Sequence, residues 1–213
     1  MSATVERTTF AWRDGKVSGE WHRPANATTV LILGHGAGGD MNHPLLVEVA
    51  SRLAGTGVAV VRFNFPHREG GRKAPDRQDT LEACYWGVAK AVASSAERLY
   101  LGGTSMGGRI ASHIVAGGFP AAGLVFQSYP LHPPGKPERL RDAHLTRIAV
   151  PMLFVSGTRD SFATRELLEK TVASLPSATL HLIDGADHGL KVRGRPPADV
   201  QDEIVSTIGG WIG

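Results

Sequence analysis

The amino-acid sequence predicts an α/β fold, a doubly wound and mostly parallel sheet with an antiparallel hairpin at its N-terminal end. Two observations carry this prediction. Short apolar runs of strand length alternate along the chain with stretches whose apolar residues recur at helical spacing. Several of those runs, among them Val58-Ala59-Val60-Val61-Arg62-Phe63 and Gly123-Leu124-Val125-Phe126-Gln127, are apolar almost throughout. Such runs suit strands covered by helices on both faces.

The elements follow in chain order. Thr8–Trp12 and Val17–Trp21 alternate around Asp14-Gly15, a hairpin signal. Thr29–Leu33 reads as the next strand, and Leu46, Val49 and Leu53 mark a helix that begins near Pro44. Strand Val58–Phe63 precedes a helix marked by Leu81, Cys84, Tyr85, Val88 and Val92. Arg98–Leu101 is a brief strand, Gly108–Val115 a helix and Gly123–Gln127 a strand. Met152–Ser156 and Thr179–Ile183 are strands on either side of a helix marked by Leu168, Val172 and Leu175. Val200, Ile204, Ile208 and Ile212 mark the last helix. No repeat, low-complexity tract or linker interrupts the pattern, so residues 1–213 are expected to form one domain.

Composition narrows the classes. The 42% apolar and 20% charged content is ordinary for a globular protein, and no run approaches the ~20 apolar residues of a membrane span. The one cysteine, Cys84, cannot form an internal disulfide, and residues 1–10 lack the apolar core of a secretory leader. A cytoplasmic location is therefore expected. Net charge is only +3. The basic clusters Arg68, Arg72, Lys73, Arg77 and Lys191, Arg193, Arg195 are not interleaved with aromatics, so neither nucleic acid nor membrane is an expected partner. The first cluster follows a strand and could border the active-site edge, where it would favour an anionic acyl group.

The chemistry centres on Gly103-Thr104-Ser105-Met106-Gly107, a G-x-S-x-G pattern between a strand and a helix. A serine at so tight a turn is forced into a strained backbone that lifts its hydroxyl above the sheet. Flanking glycines are needed because side chains there would strike neighbouring backbone. A serine hydroxyl needs a base, and the base an orienting acid. Asp160 follows strand Met152–Ser156, and His188 follows strand Thr179–Ile183. In a parallel sheet all three side chains would project from one edge. Asp184 and Asp187 compete with Asp160 as the acid but would have to fold back on the loop of His188. For the oxyanion, the expected donors are the N–H of Ala37, in Gly34-His35-Gly36-Ala37-Gly38-Gly39, and the N–H of Met106.

Together with Arg62-Phe63-Asn64-Phe65-Pro66 and Tyr129-Pro130-Leu131-His132-Pro133-Pro134-Gly135-Lys136-Pro137, these stretches resemble the α/β-hydrolase superfamily. The likeness is to its small, lid-less dienelactone-hydrolase type, and within that to a subgroup resembling testis-expressed protein thirty. It spans residues from about Val30 to His188. The order Ser, Asp, His is that of α/β-hydrolases, which favours Asp160 over its rivals. The resemblance implies a serine hydrolase with the triad Ser105, His188, Asp160, acting on a small ester or thioester without metal or cofactor. Dienelactone hydrolases use a cysteine where Ser105 stands, which argues against that particular reaction. Only Ser128–Pro137 separates one strand from the next helical stretch, leaving no room for a lid domain. Tyr129, Leu131 and His132 are expected to line the pocket from this loop, and Phe65 and His67 from another.

Competing readings are weaker. Gly34, Gly36 and Gly39 fit a dinucleotide fingerprint, but no acid follows the next strand and the helix starts too late to meet a pyrophosphate. His35 is expected to brace its loop, Cys84 to lie in the core, and Arg109 to be a helix-surface or ion-pair residue, with substrate contact the lesser alternative. His113 and His181 are expected to be structural or solvated, since no pair stands at zinc spacing with a third ligand. A non-catalytic interaction module on this fold, or an acyl transferase or perhydrolase with the same triad, are the functional alternatives. A histidine base must be neutral to act, so activity is expected to fall around pH 6–7 for an ordinary imidazole.

Overall fold

A computed structural model describes residues 3–213. The hairpin comprises β1 (Thr4–Trp12) and β2 (Gly15–Arg23), and β3 (Thr29–Gly34) follows. Then come α1 (Pro44–Gly55), β4 (Ala59–Phe63), the single turn α2 (Pro66–Glu69) and α3 (Gln78–Ala93). β5 (Arg98–Thr104) leads into α4 (Met106–Ala116), followed by β6 (Gly123–Gln127). The chain closes with β7 (Met152–Gly157), α5 (Arg165–Ala173), β8 (Ala178–Ile183) and α6 (Pro197–Ile212).

All eight strands join one sheet in the order β1-β2-β4-β3-β5-β6-β7-β8. β2 pairs antiparallel with β1 and β4, and every other pairing is parallel. The parallel strands run the same way, so their carboxyl ends share one edge. The hairpin turn lies one residue earlier than Asp14-Gly15, since Gly15 already pairs with Trp12 and Arg13-Asp14 form the loop. No described helix is long and apolar enough to cross a membrane.

Strand periodicity sorts the core into two layers. Val30 and Ile32 of β3 face the cluster that holds Leu81, Cys84 and Val88 of α3 with Ile110 and Ile114 of α4. Leu31 and Leu33, the alternate residues, face Leu46, Val49 and Leu53 of α1 with Ile204 and Ile208 of α6. Both faces of β3 are therefore dry, which is why its sequence is apolar without alternation. Cys84 lies fully inside the first layer, where burial pushes its thiol pKa up.

Beyond β6 the chain from Ser128 to His144 forms neither helix nor strand, so the expected helical stretch after Pro137 is absent. A short 3-10 turn at Leu145–Arg147 is the first regular structure there. Proline supply explains this, because Pro130, Pro133, Pro134 and Pro137 withhold amide donors and fix φ.

A buried ion pair fastens the hairpin. The Arg62 guanidinium of β4, 1% exposed, donates to the Glu20 carboxylate of β2 and to the Met41 carbonyl. His22 Nε2 stands 3.0 Å from the same guanidinium. Removing one member of such a pair strands the other charge, whereas replacing both with apolar residues costs far less. Urea unfolding of Glu20→Ala is expected to show a loss of about 3–5 kcal/mol. The double variant Glu20→Leu/Arg62→Met should lose clearly less than Glu20→Ala, and an equal or greater loss would count against this pairing.

Candidate active site

Ser105 follows the last residue of β5 and caps α4. Its backbone sits at φ 50°, ψ −112°, a conformation that a non-glycine residue adopts at a cost of roughly 1–3 kcal/mol. Two hydrogen bonds hold it there: its N–H donates to the Gln127 carbonyl at 2.8 Å, and its carbonyl accepts from Arg109 N–H at 3.1 Å. The helix thus begins at Met106, two residues before the start expected at Gly108. Met106, Gly107 and Gly108 carry first-turn amides that no carbonyl within the helix can reach.

The flanking glycines have one steric reason. A Cβ on either Gly103 or Gly107 would run into the Gly34 carbonyl of β3. Tyr85 secures the approach from α3. Its hydroxyl accepts the Gly102 N–H at 2.9 Å and donates to the Gly102 carbonyl at 2.7 Å.

The loops after β7 and β8 carry the other two groups. Gly157, at the end of β7, packs so closely on the Ala186 carbonyl that a Cβ would collide with it. Arg159 N–H donates to that same carbonyl at 2.9 Å, and Gly185 N–H donates to Thr158 Oγ1 at 2.8 Å. This lacing sets Asp160 opposite His188. His188 Nδ1 lies 2.8 and 2.9 Å from the two Asp160 oxygens, and its Nε2 lies 2.9 Å from Ser105 Oγ. Asp160 Oδ1 also accepts the Phe162 N–H at 2.7 Å, and the Asp160 side chain is fully buried. The Phe162 ring stacks on His188 with centroids 4.1 Å apart.

Asp184 and Asp187 are engaged elsewhere. Asp184 accepts from Thr158 Oγ1 at 3.2 Å, and Asp187 accepts the Gly189 and Lys191 amides at 2.8 and 2.9 Å. With Nδ1 donating to Asp160, His188 Nε2 is left to accept the Ser105 proton, the tautomer a general base requires.

Ser105 stands between two cavities. One, of about 340 Å³, is lined by His43, Leu45, Leu46, Thr104 and Phe162. The other, of about 240 Å³, is lined by Gln78, Met106, Arg109, Pro130 and Arg141. Ala37 lines both and is exposed. Phe65, His67, Tyr129, Leu131 and His132 line neither, each being at most 2% exposed. Phe65 packs on Phe63 and Tyr85, and the Tyr129 hydroxyl donates to the Arg141 carbonyl at 2.8 Å. His132 instead ties its loop to the loop after β7, its Nε2 accepting the Thr164 N–H at 3.2 Å.

His35 braces the glycine turn. Its Nδ1–H donates to the Gly36 carbonyl at 2.8 Å while its Nε2 accepts the Phe65 N–H at 3.0 Å. His113 stacks on His144 at 3.7 Å, and His181 faces Glu203 at 2.8 Å. Among the described residues, no group of three or more His, Cys, Asp or Glu side chains is placed to hold a metal ion.

A mostly parallel sheet with a positive-φ serine at a strand-to-helix turn defines a serine hydrolase-like α/β fold. The chain belongs to the alpha/beta hydrolase domain family, whose model matches residues 27–211. Solved structures agree on the fold. An alpha-beta serine hydrolase homologue from Coxiella burnetii superposes with a TM-score of 0.78 at 23% identity, covering 95% of this chain and 97% of that one. Dienelactone hydrolase from Anabaena variabilis gives 0.80 at 18% identity, with coverage of 99% and 97%. A serine hydrolase without a lid from Xanthomonas campestris gives 0.74 at 19% identity, with coverage of 97% and 94%.

The cavity-lining Phe162, His43 and Leu45 escaped sequence reasoning. Phe162 carried one signal, its place two residues after Asp160 on the same loop.

Two buried imidazoles make stability depend on pH. Burial lowers the His35 pKa to about 4 and the His144 pKa to about 3. The unfolded chain binds these protons near pH 6.5, before the folded chain does. Their stabilising share is therefore complete above about pH 6.5 and is lost as pH falls towards 4 and 3. Thermal midpoints measured from pH 7 down to pH 4 should decline, and decline less steeply in His35→Gln. An unchanged slope in that variant would contradict the assignment.

Proposed function

We propose that this chain is a serine hydrolase that cleaves a small carboxylic ester or thioester through an acyl-enzyme on Ser105. One observation above all supports the reading: the unbroken hydrogen-bonded line from Asp160 through His188 to the strained Ser105 hydroxyl. In this reading Ser105 Oγ attacks the carbonyl carbon while His188 Nε2 takes its proton. Asp160 holds the Nδ1–H and stabilises the imidazolium that forms. The Ala37 and Met106 amides receive the oxyanion, each contributing about 3 kcal/mol to lowering the barrier. His188 then gives its proton to the leaving alcohol or thiol, and a water it deprotonates clears the acyl group.

The narrower likeness to the subgroup of testis-expressed protein thirty belongs to this proposal, and the glycine turn and the proline-rich loop support it. A scaffold on the same fold has no use for a serine held at φ 50° beside a paired imidazole. The test is pre-steady-state hydrolysis of 4-nitrophenyl acetate. Wild type should release a burst of nitrophenolate close to one equivalent, followed by slower turnover. Ser105→Ala should show no burst, and Asp160→Asn should lower kcat by roughly 10⁴ through the wrong His188 tautomer. Full activity in folded Ser105→Ala would sink the proposal.

A further inference from the structure

The two cavities beside Ser105 differ in chemistry. The larger is walled by Leu45 and Leu46, and Phe162 lines both cavities. The smaller brings two guanidinium-bearing side chains, Arg109 of α4 and Arg141 of the proline-rich loop, next to Met106 and Ser105. Both arginines are half-buried, and neither makes an ion pair with a described carboxylate. Arg109 spends one nitrogen on neutral partners, Gln78 Oε1 at 3.0 Å and His113 Nε2 at 3.2 Å. Glu82 acts on Arg109 through space but makes no ion pair with it, its carboxylate accepting from Gln78 at 2.7 Å and lying 3.7 Å from His113. Asp76, on the cavity wall, pairs with Arg72 at 2.6 Å. Burial lowers the Arg109 pKa, Tyr129 and Glu82 push it up, and the nearby Arg141 charge pushes it down.

Two like charges half removed from water with no carboxylate in contact are costly, and a guanidinium fork recovers that cost best from a carboxylate. The geometry points to a substrate that carries a carboxylate of its own, held by Arg109 and Arg141 on the Met106 side of Ser105, with its apolar part in the Leu45–Phe162 cavity. This deepens the hydrolase reading above and rests on it. Charge would fix orientation, because a substrate entered in reverse would set its carboxylate against Leu45 and Leu46 and leave both arginines unpaired.

The test compares esters matched in size and differing in charge. One pair places the charge on the acyl side, 4-nitrophenyl hydrogen adipate against 4-nitrophenyl methyl adipate. The other places it on the alcohol side, O-butanoylglycolate against O-butanoylglycolamide. Wild type should favour the anion in one of the pairs by about tenfold or more in kcat/KM, mainly through KM. In Arg141→Gln that ratio should collapse towards one, and Arg141→Lys should recover part of it. Equal rates within both pairs, or preference for the neutral ester in both, would overturn the inference whatever the variants do. So would a preference that survives in folded Arg141→Gln. If no ester is turned over and 4-nitrophenyl acetate gives no burst, the hydrolase reading falls and takes this inference with it. Turnover without charge preference defeats this inference alone.

Discussion

The site depends on how closely three pieces of backbone approach one another at Gly34, Gly103 and Gly107. Parallel pairing of β3 and β5 sets Gly34 against Gly103 in the ladder. The helix that follows Ser105 then returns over the same point, with Gly107 against the Gly34 carbonyl. Only glycine tolerates this contact. Because the turn is so tight, Ser105 takes a positive φ and α4 starts without a spacer. Met106 at the start of that helix then lines a cavity with Ser105 and with Ala37 from the glycine turn after β3. The strained serine and the abrupt helix start share one cause.

The same device recurs where the base and acid meet. Gly157 presses on the Ala186 carbonyl, and the loops after β7 and β8 exchange hydrogen bonds through Thr158, Arg159 and Gly185. These contacts keep Asp160 and His188 in register. Phe162 stacks on the imidazole face and gives its amide to Asp160, so one residue steadies both partners. Buried polar groups elsewhere hold the loops that flank this edge, Arg62 through the Met41 carbonyl and His35 through the Gly36 carbonyl and the Phe65 amide. A site made of loop residues gains its stiffness from these attachments to the sheet.

Much of this was legible in the sequence because the relevant signals are local. Apolar runs and helical spacing revealed the alternation of elements, and the glycines around Ser105 announced a close approach before its partner was known. Strand-end positions put Ser105, Asp160 and His188 on one edge, and the side chains do meet there. Cavity walls were not legible. Phe65 and Tyr129 follow strands at the correct edge, but their rings turn into the core, where Phe63, Tyr85 and Phe126 receive them. Which way a loop side chain points is decided by tertiary packing, which no spacing rule encodes. Arg141 was invisible for a like reason, since the absence of a counter-charge is a property of three dimensions. The extended course from Ser128 to His144 was underestimated because apolar spacing cannot register missing amide donors.

In the hydrolase proposed above, this packing turns an ordinary serine hydroxyl into a nucleophile. Intact-mass analysis after treatment with a fluorophosphonate tests it most directly, since the reagent requires an activated serine and makes no demand on substrate identity. Wild type should gain one adduct and folded Ser105→Ala none. Unlabelled, folded wild type, or equal labelling of both proteins, would contradict it.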